Sequence, residues 1–298
     1  MTALTFPFLT PLRDSDRNLA RAAGCGGIFV LTLFAVFVAL TVTGVALDLS
    51  PERLEGAQDL SSPGALVIVG ALLAGLGALV LLAARLAYGR TFASFLWPQG
   101  FRLRLLLGGL LVAVPAILAA LLVSLLFALV TGQDLGLRDA GGAADLPLLE
   151  GDFAYLGAAV ISMALVALGE EAIFRGVLLQ MLAAWFRRAL TALVLAAIVF
   201  SALHGDPDPV AFGMRVIMGL TWGWATLRLG GIEFAVGLHF GNNLLLILLV
   251  PAGEALQTGR EMPASAILSQ LAAAGVAVAA VELLARRRPA RTAPFPTV

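Results

Sequence analysis

Residues 103–130 read LRLLLGGLLVAVPAILAALLVSLLFALV, with Arg104 as their single charged side chain. A bilayer core about 30 Å thick takes about 20 apolar residues per spanning helix, and this run exceeds that length. Seven further stretches behave similarly, at 24–47, 64–87, 153–186, 190–204, 209–227, 232–250 and 264–285. A membrane β-barrel would instead show alternating segments of about ten residues. The expected fold is therefore all-α, a polytopic membrane bundle of about eight helices.

Composition agrees. The 298-residue chain is 60% hydrophobic, only 13% charged, and has a mean hydropathy of +0.97, which excludes a soluble globular chain. Net charge is zero, and no basic groove or base-stacking array suggests nucleic acid. A single cysteine, Cys25, excludes an intrachain disulfide. All basic side chains are Arg, and with abundant Ala, Gly and Leu this suggests a GC-rich bacterial source.

The Arg residues also suggest an orientation. Arg13, Arg17 and Arg21 precede the first stretch, and Arg85, Arg90, Arg102 and Arg104 flank the second connection. Arg187, Arg188, Arg228 and Arg286–Arg288 follow later stretches on the same side. The other connections carry Arg53, Arg138 and Arg260 among acids such as Asp48, Glu52, Asp145 and Glu150. The positive-inside rule then places both termini in the cytoplasm, with the protein in a bacterial inner membrane. The first run exceeds a signal-peptide core of 7–15 residues, so a retained helix is expected.

Three regions follow: a cytoplasmic segment at 1–22, one transmembrane domain at 23–285, and a basic, disordered tail at 286–298 held near anionic headgroups. Residues 91–101, with Phe92, Phe95, Leu96 and Trp97 beside Arg residues, suit either an interfacial helix or an ordinary loop with aromatic anchors. Residues 133–152 read as an extracytoplasmic loop. The stretch 153–186 would make about 50 Å of helix, so a tilt, break or projection is expected, with a kink natural at Gly169-Glu170-Glu171.

Ionisable groups in apolar helices cost about 2.5–3.5 kcal/mol each on insertion scales and so direct attention to function. Here they form three islands: Gly169-Glu170-Glu171-Ala172-Ile173-Phe174-Arg175-Gly176, Phe200-Ser201-Ala202-Leu203-His204, and His239-Phe240-Gly241-Asn242-Asn243. They hold both histidines and two of the three asparagines of the chain. Glu171 and Arg175, at i and i+4, share a helix face and can pair. Glu170 points about 100° away and is left to face a cavity, where it can share a water with a histidine. His239 and Asn243 are again i and i+4, a donor pair suited to an oxyanion. Asn242 points elsewhere.

The pattern E-E-x-x-x-R, F-x-x-x-H and H-x-x-x-N on successive apolar helices resembles the CPBP family, also called Abi, of CAAX-prenyl and bacteriocin-processing intramembrane proteases. The resemblance rests on Glu170, Glu171, Arg175, Phe200, His204, His239 and Asn243 and covers about 153–250. It implies an eight-helix endopeptidase with its site between the fourth, fifth and seventh helices. Glu170 and His204 would activate water, and His239 and Asn243 would stabilise the oxyanion. Glu171 and Arg175 would brace the site, with Phe200 packed beside His204. The substrate would be a membrane-associated peptide or protein, with no identity or oligomeric state indicated. A catalytic zinc wants three good ligands plus water. The candidates are Glu170, His204 and His239, without an H-E-x-x-H motif, so no metal is the favoured expectation and zinc the alternative.

Simpler readings compete. Glu171–Arg175 is a brace on any view, His204 alone would pass as an interfacial residue, and His239 with Asn243 as hydrogen-bonding glue of about 0.6 kcal/mol per bond. Trp222 and Trp224 read as packing residues. Glu233, Arg215 and Arg228 are expected near interfaces, Glu282 to pair with the basic tail, and Asp206 and Asp208 to end a helix beside His204. A non-enzymatic immunity factor or scaffold, or a proton-coupled transporter, would use the same residues differently. One geometric problem remains open. His204 lies about 24 Å along its helix from Arg188, but His239 only about 16 Å from Arg228, so tilt or a re-entrant start must bring the islands level.

Overall fold

Small residues on one side of a helix and leucines on the other decide how this bundle packs. The computed structural model describes residues 6–46, 62–132, 152–249 and 262–287, and every regular element among them is helical. Two 3₁₀ turns, Pro7–Leu9 and Asp14–Arg17, lead into α1 (Leu19–Ala46). There follow α2 (Pro63–Tyr88), α3 (Phe92–Leu96), α4 (Leu103–Thr131) and α5 (Phe153–Phe186). The last four are α6 (Ala189–Ala202), α7 (Pro209–Leu229), α8 (Glu233–Leu249) and α9 (Ser265–Arg286). Helices α2, α4, α5, α7 and α9 are long and apolar enough to cross a membrane, while Leu19–Leu31 of α1, α6 and α8 are shorter apolar helices. Each of the eight expected stretches thus carries a helix, and α3 lies between two of them. The loop residues 133–151, the connections at 47–61 and 250–261, and the tail from 288 lie outside the described residues.

Local chemistry fixes the ends. Ser62, Asp152 and Asp208 accept from the backbone N–H three residues on, capping α2, α5 and α7, and Pro63 and Pro209 occupy first-turn positions. Gly89, Gly132 and Gly230 close α2, α4 and α7 in the left-handed conformation. Along α4, Leu111, Leu118, Leu122 and Leu129 are exposed, whereas Leu105, Gly109, Ala113 and Ala116 are buried. Lipid tails are as apolar as leucine, so helices associate through small residues that let backbones approach.

The closest approaches flank the polar islands. A Cβ on Gly77 of α2 would lie 2.8 Å from the Cα of Gly169 in α5, next to Glu170. A Cβ on Gly237 of α8, two residues before His239, would overlap the Leu106 carbonyl of α4. Gly237→Ala is accordingly expected to destabilise the protein by about 1–3 kcal/mol, the range for overpacking. Gly157→Ala on α5 meets nothing within 4 Å and serves as the control in a detergent melting experiment.

The long fourth stretch stays helical through Gly169-Glu170-Glu171. Helix α5 continues through a π-helical segment, Ala172–Leu178, where the Leu179 N–H bonds the Phe174 carbonyl five residues back. Such π turns cluster at functional sites because the wider turn re-aims side chains without ending the helix.

The Arg-rich end of the bundle is sealed by the N-terminal segment. Phe8 and Leu9 are 0% and 1% exposed, packed among Leu96, Leu227, Ile232 and Val236. Beneath them the Gly230-Gly231 corner is buried, and the Ile232 N–H bonds the Leu96 carbonyl of α3. Non-helical backbone at depth is tolerated when buried in protein. Helix α8 therefore starts from a buried corner, and its His239 comes within 3.0 Å of Glu171 on α5. In residues 91–101, a five-residue helix buries Phe95 and Leu96 and leaves Phe92 and Phe101 exposed.

Two buried charges at this end are paired. Arg90, 5% exposed, donates to Asp16, to Ser94 and to the Gln180 side-chain carbonyl, while Gln180 donates to the Ser94 and Phe95 carbonyls at 3.1 Å. Burial pushes the Arg90 guanidinium below its usual range, against the opposing pull of Asp16. Glu233 is buried and holds Arg102 at 3.0 Å. Glu282, expected to pair with the basic tail, holds Arg228 at 2.7 Å and the Trp224 indole at 3.0 Å, because α7 and α9 lie side by side.

Candidate active site

Glu171 is the centre of the buried polar cluster. Its side chain is fully enclosed, and one oxygen, Oε1, accepts from Arg175 at 2.8 Å and from Nδ1 of His239 at 3.0 Å. The π turn keeps Arg175 in reach of Glu171 while α8 delivers His239 from across the bundle. The other Glu171 oxygen has no hydrogen-bond partner.

Glu170 stands on the far side of the imidazole. Its Oε2 lies 3.8 Å from Nε2 of His239 and is buried without a hydrogen-bond partner, while the side chain keeps 13% exposure. His239 is thus placed between two carboxylates, one on each ring nitrogen. A carboxylate only accepts, so the bond to Glu171 puts a proton on Nδ1.

Aromatic rings surround this set. His239 stacks on Trp222 with centroids 4.0 Å apart and planes 22° apart. The Arg175 guanidinium lies over Phe200 at 4.5 Å and Trp222 at 5.2 Å, and donates to the Gly219 carbonyl at 3.4 Å. These contacts stabilise a buried guanidinium through the ring quadrupoles.

His204 joins through Phe200. Their rings meet edge to face at 4.8 Å, and Nδ1 of His204 is 2.8 Å from the Phe200 carbonyl. A carbonyl only accepts, so Nδ1 carries the proton and Nε2 of the neutral ring keeps its lone pair. Among the described residues, no direct hydrogen bond or ion pair links His204 to Glu170. The turn after His204 is tied down, since Asp206 holds Arg215 at 2.9 Å and accepts from the Asp208 N–H at 3.1 Å. Asn243 accepts from Asn242 at 3.2 Å, and no hydrogen bond joins it to His239 among the described residues.

The structure therefore gathers Glu170, Glu171, Arg175, Phe200 and His239 into direct contact, with His204 one ring away. It adds α7 to the three helices the sequence singled out, through Trp222 and the Gly219 carbonyl. Trp222 carried a legible mark: it lies well inside a 21-residue helix, whereas membrane tryptophans concentrate at the interfaces.

The candidate zinc ligands Glu170, His204 and His239 are not gathered into one group. Among the described residues, no three of His, Cys, Asp and Glu form a cluster able to hold an ion. Nδ1 of His239 is bonded to Glu171 and Nδ1 of His204 to the Phe200 carbonyl, so each ring has only Nε2 left to act on a substrate or ligand.

Residues 152–245 match the type II CAAX prenyl endopeptidase Rce1-like family. The resemblance drawn from the motifs is thereby shown for this segment. Every side chain described above, from Glu170 to Asn243, lies inside the Rce1-like segment, while α1 to α4 and α9 lie outside it. A stretch of 101 residues is 30% identical to the uncharacterized protein YyaK of Bacillus subtilis (strain 168). That match covers 32% of this chain and 34% of the relative, so it spans about a third of the relative's length. No solved structure matches the chain.

Proposed function

We propose that this chain is an intramembrane endopeptidase that hydrolyses a peptide bond of a membrane-associated peptide or protein by metal-independent catalysis. The observation that carries the reading is the unbroken series Arg175, Glu171, His239, Glu170, enclosed among apolar helices inside the Rce1-like segment. Burying four ionisable groups at these positions is costly, and groups kept at such cost point to a function.

In this mechanism Glu170 takes a proton from a water that His204 orients through Nε2. The water oxygen bonds to the carbonyl carbon, and the carbonyl π pair moves onto its oxygen. Donors from His239 and Asn243 stabilise that oxyanion. Its collapse breaks the C–N bond, and the proton held by Glu170 passes to the leaving nitrogen, giving a carboxylic acid and an amine. Because Nδ1–H is committed to Glu171, His239 donates from Nε2 only as the doubly protonated ring. Asn243 donates once its amide turns from Asn242 toward the substrate.

The protein would sit in a bacterial inner membrane with both termini in the cytoplasm, as the Arg distribution suggests. The test is cleavage of membrane-associated peptides by the purified protein in lipid nanodiscs. No cleavage of any peptide would return the chain to the non-enzymatic reading. A chelator is expected to leave cleavage unchanged, and a loss of activity restored by zinc would overturn the metal-free mechanism.

A further inference from the structure

We propose that Trp222 is a positioning residue for this reaction, holding the His239 imidazole in the plane that lets Nδ1 meet Glu171 while Nε2 faces Glu170. The inference rests on the endopeptidase reading and assigns a function to a side chain that the motifs leave out.

The last torsion of a histidine is broad, so a ring held only at its rim can turn about the Cβ–Cγ bond. Two contacts remove that freedom. Trp222 lies nearly parallel to the ring at 4.0 Å and excludes orientations that would swing an edge into the indole. Glu171, at 3.0 Å from Nδ1, then selects between the two coplanar orientations, because a flipped ring would present carbon to the carboxylate. Trp222 sets the plane and Glu171 sets the direction.

Trp222 is itself immobilised. It is 3% exposed, packs against the Phe200 ring at 5.9 Å, and lies beneath the Arg175 guanidinium at 5.2 Å. The side chain that pairs with Glu171 and the rings that bracket His239 are therefore one packed unit, contributed by α5, α6 and α7. Geometry matters here because Glu170 stands 3.8 Å from Nε2. A rotated ring would withdraw Nε2 from both the carboxylate and the developing oxyanion, and misplacement by about 1 Å can cost about 10²-fold in rate.

The chain has only two histidines, so ¹⁵N-histidine labelling of the full-length protein in nanodiscs yields two ring systems, and His239→Ala assigns them. A slowly exchanging Nδ1–H from His239 is expected in the wild type and in Trp222→Phe, which keeps a flat face, and is lost in Trp222→Leu. In the cleavage assay Trp222→Leu should lower kcat by about 10–100-fold with KM unchanged, and Trp222→Phe should restore most of it. Trp222→Leu that keeps both the proton signal and kcat would overturn the proposal, as would Trp222→Phe failing as badly as Trp222→Leu. If Trp222→Leu does not fold, the wild type decides. Its His239 ring protons should be shifted upfield by the indole ring current, and unshifted protons exclude the stack. Full activity in His239→Ala would defeat the endopeptidase mechanism instead, and the ring spectra would still report separately on whether Trp222 holds His239.

Discussion

Glu170→Gln is expected to reduce peptide cleavage by about 10²–10⁴-fold, the usual contribution of a general base, while leaving the melting temperature unchanged. The substitution is isosteric and removes only the proton-accepting charge. Stability should be indifferent because Glu170 makes no hydrogen bond through its buried Oε2 and is not the carboxylate that Arg175 holds. This separates it from Glu171, whose loss would release both Arg175 and His239. Measuring kcat/KM beside the melting curve gives a clear decision: full activity in Glu170→Gln would sink the mechanism.

Arg175→Ala is expected to have the largest effect on stability. It strands the enclosed Glu171 carboxylate, and breaking a buried pair by removing one partner costs about 3–5 kcal/mol. It also removes the cation from Phe200 and Trp222 and the donor from the Gly219 carbonyl. Replacing both partners by apolar groups of similar size is often neutral, so Glu171→Met with Arg175→Met should recover much of the melting temperature. That double variant should still be inactive, because Nδ1 of His239 loses its acceptor. Recovery of stability without recovery of cleavage is the expected result, and Arg175→Ala melting like the wild type would refute the brace.

Membrane architecture was legible because an uninterrupted apolar run of helical length has few alternatives in water or lipid. The Glu171–Arg175 pair was legible because it is local, one helical turn on a single face. The link from Glu171 to His239 spans 68 residues, and Arg90 to Gln180 spans 90, so no periodicity encodes either. Their partners depend on which helices become neighbours, a choice made by glycines such as Gly169 and Gly237 rather than by the polar residues themselves. The Arg228 partner of Glu282 was hidden for the same reason: it lies 54 residues away in sequence but on the adjoining helix. Asp16 lies in the segment expected in the cytoplasm, and it is 2% exposed against Arg90. The meeting of His239 with Glu171 follows a buried corner that sequence cannot distinguish from a surface turn.

The burial of Phe8 and Leu9 against Ile232 and Val236 also imposes an order of events on biosynthesis. Phe8 and Leu9 leave the ribosome well before the segment they pack on, and their berth does not exist until more than two hundred further residues have been translated and the corner before α8 has formed. The segment must therefore wait, unseated, while the helices behind it are inserted.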